Sequence, residues 1–347
     1  IQVLAISQDG RWLATGSVDG NARLWDLQAA NPAENPAVLE NGERVWALAF
    51  SPDSRWLATG SDDGTARLWN LETADPAGNA LALPDQDGAV LALTFSPDGR
   101  WLATSGEDNN ARLWDLQIID PAHDPIILTG HIDDIFTLAI SPDGRWLATG
   151  SGDSTTRLWD LQDGDPANNS IVLSAHEEQV QTLAFSPDGR WLATGGGDGV
   201  THIWDMQTTD LGANAITLHS HEKSVNTLAF SRDGTLLATG GQDGTARLWN
   251  LEISDPANPE SNPVVLSGHD GPVRALAFSP DGRWLATGSD GATLSDEGLA
   301  WLWLLQLEDL KSLACGSAGR NLSSDEWGQY LPWRSYTSTC EQWPPGH

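Results

Sequence analysis

The stretch Ser141-Pro-Asp-Gly-Arg-Trp-Leu-Ala-Thr-Gly150, followed by Arg157-Leu-Trp-Asp160, decides the fold, because close copies of it run through the whole chain. Copies of the first half begin at Ser7, Ser51, Ser96, Ser141, Ser186, Ser231 and Ser279; the second half closes on Trp25, Trp69, Trp114, Trp159, Trp204, Trp249 and Trp303. Seven units result, and from Trp69 to Trp249 the tryptophans recur every 45 residues. A fixed period of this size marks an array of stacked supersecondary units. Function in such an array has to lie where the copies differ.

Each unit reads as four short strands, as at Val180 to Phe185, Trp191 to Thr194, Thr201 to Asp205 and Ile216 to Leu218. Runs that are apolar on both faces indicate sheets covered on both sides. Asp-Gly steps at both inner hairpins, such as Asp188-Gly189 and Asp198-Gly199, suit tight turns that need positive φ. A lone four-stranded meander cannot bury two apolar faces, so the units stack face to face around an axis, and seven of them can close a ring.

The 347 residues therefore amount to one repeat array and a tail rather than several domains. With 48 acidic against 18 basic residues, the formal charge of −30 repels phosphate backbones and anionic lipid, which argues against nucleic acid and membrane as partners. Cys315 and Cys340 are too few for a disulfide scaffold; they are read either as two thiols or as one bond stapling the tail. Neither a basic-plus-apolar leader nor an 18-residue apolar run is present, so a soluble, cytoplasmic protein is expected. The first unit starts at Ile1 without the lead-in of the others, so a further segment is expected upstream.

A Gly-His step, an Asp in the hairpin and a terminal Trp-Asp, spaced as Gly130-His131, Asp153 and Trp159-Asp160, resemble the WD40 repeat over residues 1 to about 305. The resemblance implies an all-β, seven-bladed WD40 β-propeller over 1–305, and the residues beyond it read as a short C-terminal helical cap and tail over 306–347. It also implies that the last blade takes its outermost strand from the N-terminus. Three strands are expected there, unless a segment around Tyr336 to Cys340 or one beyond this chain fills the edge. Leu304, Leu307, Leu310 and Leu313 suit one face of a short helix, and Ser323 with Glu326 a capping box ahead of a second. The tail from Ala314 through Pro332 resembles that of bacterial WD40 proteins carrying N-terminal caspase-like, kinase or STAND-type ATPase domains. By that resemblance the chain is the sensor part of a larger signalling protein, with such domains among its partners.

His176, Thr194, Asp198 and Trp204 contain the hydroxyl, imidazole and carboxylate of a nucleophilic triad. The set recurs as His131, Thr149, Asp153, Trp159 and as His221, Thr239, Asp243, Trp249, and no enzyme needs several buried copies of one triad. The WD40 resemblance implies the same: a tetrad tying strands together. Asn41 and Gln86 stand where units two and three would have His, and His269 has Asp290 or Asp296 as its candidate acid. His219-Ser-His221 lacks a third ligand, Asp85-Gln-Asp87-Gly88 is a turn rather than a calcium loop, and no Gly-rich phosphate loop occurs. Neither a metal nor a cofactor is expected.

Comparison of the units singles out the residue after the first-strand Val or Ile: Gln2, Trp46, Leu91, Phe136, Gln181, Asn226 and Arg274. In WD40 proteins this position lies at the mouth of the central channel. Trp46, Leu91 and Phe136 form an apolar arc near Arg44 and Asp134, the composition of a protein-contact hot spot. The alternative is that these side chains plug a narrow channel. A peptide or protein segment with an apolar anchor and basic flanks is the expected ligand, for either a sensor or a free-standing scaffold. A hydrolase would need an unrepeated polar cluster, for which only Asp290, Asp296 and Glu297 in the long seventh unit qualify.

Overall fold

A computed structural model describes residues 1–73, 75–78, 80–83, 87–117, 125–162, 165–208, 211–212, 215–251, 263–291 and 298–305. The expected cap and both cysteines, together with Gln86, Asp296 and Glu297, lie outside the described residues. Seven antiparallel sheets follow one another along the chain, spanning residues 3–40, 45–83, 90–128, 135–173, 180–219, 225–266 and 273–304. Among the described residues six sheets hold four strands in meander order and the seventh holds three. Sheet 4 is typical, with Ile135–Ile140, Trp146–Ser151, Thr156–Asp160 and Ser170–Leu173 in sequence.

The Ser-Pro-Asp-Gly turn between the first two strands is held by its own side chains. Ser141 Oγ donates to Asp143 Oδ1 (2.5 Å) and accepts the Trp146 amide (2.8 Å), while Asp143 also accepts the Arg145 amide at 3.0 Å. Gly144 sits at φ +72°, a conformation that other residues adopt only with strain. Arg145 then reaches Asp160 at the end of the third strand (2.9 Å) and covers the Trp146 ring at 4.9 Å. Arg11 with Asp26 and Arg100 with Asp115 repeat the pair. In sheet 2 Asn70 replaces that Asp, and Arg55 turns instead to Glu72 at 2.9 Å.

Contact density divides the chain into residues 1–185 with 205–215, and residues 186–204 with 216–347. In the first unit adjacent sheets interlock through small residues. A Cβ on Gly150 would lie 2.7 Å from Val180 Cγ1, and one on Gly60 would meet Val90 as closely. Around these contacts Ala103, Leu113 and Leu128 of sheet 3 pack on Ile135, Leu147 and Trp159 of sheet 4. Fully burying each Leu or Ile side chain among them is worth about 1.5–3 kcal/mol. In the second unit Ala238, Leu248, Val264 and Leu285 form the corresponding core, with Leu276 and Trp303 against it.

Asp-Pro-Ala recurs in the links after the third strands, at residues 75–77, 120–122, 165–167 and 255–257. Ala77 packs onto the cluster of Trp12, Ala37 and Leu71, and Ala167 onto that of Trp101 and Ile126. The Asp turns the chain, as where Asp75 accepts the Ala77 amide at 3.2 Å. Asp120 and Asp255 lie outside the described residues.

Candidate functional site

The start of each first strand, the end of the second and the hairpin into the third share one end of their sheet. At that end the ladder between the first two strands is broken by a bulge in sheets 2, 3, 4, 6 and 7. In sheet 4 Ile135 pairs with Ser151 and Thr137 with Gly150, so Phe136 has no cross-strand partner. The other four bulges skip Trp46, Leu91, Asn226 and Arg274 in the same way. The variable position singled out by comparison of the units is thus the extra residue of a bulge, which re-aims its side chain and releases it from pairing. No sequence pattern marked these bulges except the variability itself.

Within the first unit the bulged residues differ in how they are tied down. The indole N–H of Trp46 donates to Asp62, the Arg44 guanidinium lies 4.8 Å over the Trp46 ring, and Arg44 Nε stands 4.0 Å from Asp62. Arg44, Trp46 and Asp62 therefore form a closed group. Leu91 is half-buried, and Glu107, sixteen residues on from it, accepts the Ala89 amide at 3.1 Å. Opposite half-buried Phe136 the corresponding residue is Gly152, which offers no side chain. The Asp134 carboxyl is pushed above its ordinary range by burial, and further by the Asp133 and Glu107 carboxylates. Gln181 is half-buried and Gln2 exposed at the matching positions. In the second unit Asn226 Nδ2 donates to the Val273 carbonyl (3.1 Å), and Arg274 Nε pairs with Asp290 at 2.9 Å.

One residue here escaped the comparison of units. Ile132 follows His131 and is 83 % exposed, where the other described units carry Gly42, Asp87, Glu177, Glu222 and Asp270. Its turn is fixed on both sides. The Ile132 amide donates to Asp153 Oδ2 (3.1 Å), Ser151 Oγ donates to the Asp133 carbonyl (2.9 Å), and the Gly152 amide donates to the Asp134 carbonyl (2.8 Å). Position-by-position comparison extended one turn upstream would have found it.

The tetrads lie inside the sheets. Trp159 Nε1 donates to Thr149 Oγ1 (3.1 Å), Thr149 donates to His131 Nε2 (2.9 Å), and His131 Nδ1 donates to Asp153 (2.8 Å). His221, Thr239, Asp243 and Trp249 repeat the chain at 2.9–3.2 Å. In sheet 5 Trp204 donates to Thr194 at 3.2 Å. Sheet 2 uses Asn41, whose carbonyl accepts from Thr59 (2.5 Å) while Thr59 accepts from Trp69. In sheet 7 His269 Nδ1 meets Ser289 Oγ at 2.7 Å and Nε2 meets Thr287 at 2.6 Å, and Asp290 is turned outward to Arg274. Burial pushes His131 and His221 below the ordinary histidine range despite the carboxylates beside them. A buried neutral imidazole with both nitrogens bonded is a strand tie. No group of three or more His, Cys, Asp or Glu able to hold a metal occurs among the described residues.

The family model described as "WD domain, G-beta repeat" matches residues 1–26, 37–70, 81–115, 125–160, 168–205, 212–250 and 261–294. No curated protein matches the chain.

Proposed function

The chain belongs to the WD40 family, in the seven-bladed β-propeller fold class, and from that premise we propose that it is a non-catalytic module that binds a protein or peptide segment at the bulged ends of its first strands. The observation that carries this reading is the bulge: in sheets 2, 3, 4, 6 and 7 the residue excluded from the ladder is also one that varies between units. Trp46, Leu91 and Phe136 provide aromatic and apolar area, and Asp134 and Glu107 provide negative charge, which suits a segment with an apolar anchor and basic flanks. Asp290, the one described member of the alternative polar cluster, is held by Arg274. The resemblance of residues 314–332 to bacterial WD40 tails supports a role as the sensor of a larger cytoplasmic signalling protein. No helix among the described residues is long and apolar enough to cross a membrane.

The test is selection of displayed random heptapeptides on the intact chain, followed by affinity measurement on the Trp46→Ala/Phe136→Ala double variant. Basic-apolar peptides that lose at least about tenfold affinity, equivalent to about 1.4 kcal/mol, support the reading if the thermal midpoint stays nearly constant. Unchanged affinity, or collapse of the midpoint, removes it.

A further inference from the structure

We infer that Ile132 is a preformed apolar knob, set on an acidic turn at the lip of sheet 4, that engages a cationic-apolar segment of the partner. The inference rests on the reading above and narrows it to one part of the surface and one kind of chemistry.

Four observations converge. Ile132 is 83 % exposed, well beyond the half-buried Phe136 four residues later. A large aliphatic side chain held in water gains about 25 cal/mol per Å² when a partner covers it. The turn that carries it is already ordered by three hydrogen bonds, from the Ile132 amide to Asp153, from Ser151 to the Asp133 carbonyl and from Gly152 to the Asp134 carbonyl. Binding therefore orders little new backbone, and the entropic penalty that weakens flexible loops is reduced. Asp133 and Asp134 follow directly, and Glu107 is close enough to raise the Asp134 carboxyl along with Asp133. Finally, the contrast with sheet 2 is informative. There the acid Asp62 already has Trp46 and Arg44 as partners, whereas Asp133 Oδ1 accepts only its neighbour's amide among the hydrogen bonds of the described residues.

Charge complementarity selects the occupant. The two carboxylates of Asp133 and Asp134 directly after an exposed aliphatic side chain favour Lys or Arg residues alternating with Leu-like ones, since a Leu-like side chain packs on Ile132 while the neighbouring cation reaches the acids. A purely basic segment would gain only the screened electrostatic part.

Two fluorescein-labelled peptides serve as probes: Lys-Leu-Lys-Lys-Leu-Lys and its Leu-to-Ser counterpart, Lys-Ser-Lys-Lys-Ser-Lys. Ile132→Ser keeps the backbone amide and every charge. It is expected to weaken the Leu-containing peptide at least about fivefold and to leave the Ser-containing peptide unchanged. Asp133→Asn/Asp134→Asn should weaken both peptides and flatten their salt dependence. Unchanged binding of the Leu peptide to Ile132→Ser, or equal affinity of the two peptides for the unmodified chain, overturns the inference. Loss in Trp46→Ala/Phe136→Ala without loss in Ile132→Ser overturns this inference alone. No loss in either variant overturns both readings, and loss in Ile132→Ser alone upholds the knob while removing the mouth. An unchanged amide resonance for His131 and an unchanged thermal midpoint establish that Ile132→Ser is folded; should it not be, Ile132→Thr, which keeps the β-branch, takes its place with the same expected direction.

Discussion

The amide of Ile132 and the side chain of His131 bind the same oxygen, Asp153 Oδ2, at 3.1 and 2.8 Å. One carboxylate thus ties an internal strand clamp to an exposed turn, and sheet 6 repeats the arrangement where Asp243 accepts the Glu222 amide at 3.2 Å. Burial of Asp153 works against its ionisation, yet the bonds from Thr155 and His131 outweigh it and hold the carboxyl below its ordinary range.

Replacing Asp153 by Ala is therefore expected to act at two places. The buried imidazole loses its acceptor, which costs about 1–3 kcal/mol of global stability. The Ile132 amide, released at the surface, should exchange with solvent faster than in the parent chain. Chemical denaturation and amide hydrogen exchange measure the two effects, and a stability change without faster exchange at residue 132 would separate what the geometry joins.

Stability should fall on mild acidification. His131, His221 and His269 all have imidazoles depressed below their ordinary value by burial. In the unfolded chain these groups take up protons near pH 6.5, while the folded chain resists doing so, so the unfolded state binds more protons in that window. Their contribution is complete above about pH 6.5 and is lost as pH falls through the lower folded values. Urea midpoints at pH 7.5, 6.5 and 5.5 should decrease in that order. His131→Asn, which copies the Asn41 clamp of sheet 2, should flatten the trend, whereas a rise in midpoint toward pH 5.5 would contradict the sign.

Gly150→Ala should be among the most damaging single-methyl changes. The added Cβ would lie 2.7 Å from Val180 Cγ1 and 2.8 Å from Thr137 Cγ2, closer than packed carbons approach. Overpacking of this kind costs about 1–3 kcal/mol, and Gly150→Ala/Val180→Ala should recover much of it. Thermal unfolding of the pair of variants decides the matter.

Arg145→Thr offers the opposite expectation. Arg145 is exposed, and although it pairs with Asp160 at 2.9 Å and covers Trp146, solvent screens the pair. The change should leave the thermal midpoint nearly where it was, well short of the shift expected for Gly150→Ala, and a comparable loss would show the pair to be structural. Sheet 6 already carries Thr235 and Asn250 at the two positions and keeps its Leu236–Gly241 and Ala246–Asn250 strands in register.

Much of this fold is legible in the sequence because each unit repeats its instructions. Ser141, Asp143 and Gly144 define a turn by local bonds that no distant residue is needed to complete, and the His131 to Trp159 spacing signals a clamp because it recurs. The bulges were not legible. Backbone pairing that skips Phe136 leaves no mark in the kind of residue that stands there, and the same is true of Trp46 and Leu91. Ser289 as the partner of His269 was hidden for a similar reason: Asp290 has the right chemistry, but the register faces it outward to Arg274.

A side chain that belongs to no ladder is cheap to exchange. Mutations at Leu91 and Phe136, apolar side chains outside the ladder, can accumulate without first being rescued by compensating changes in a facing strand, so the chain's choice of companion can drift while its architecture stays constant. Descendants of this protein would then be told apart by a handful of codons rather than by the hundreds that spell out the scaffold.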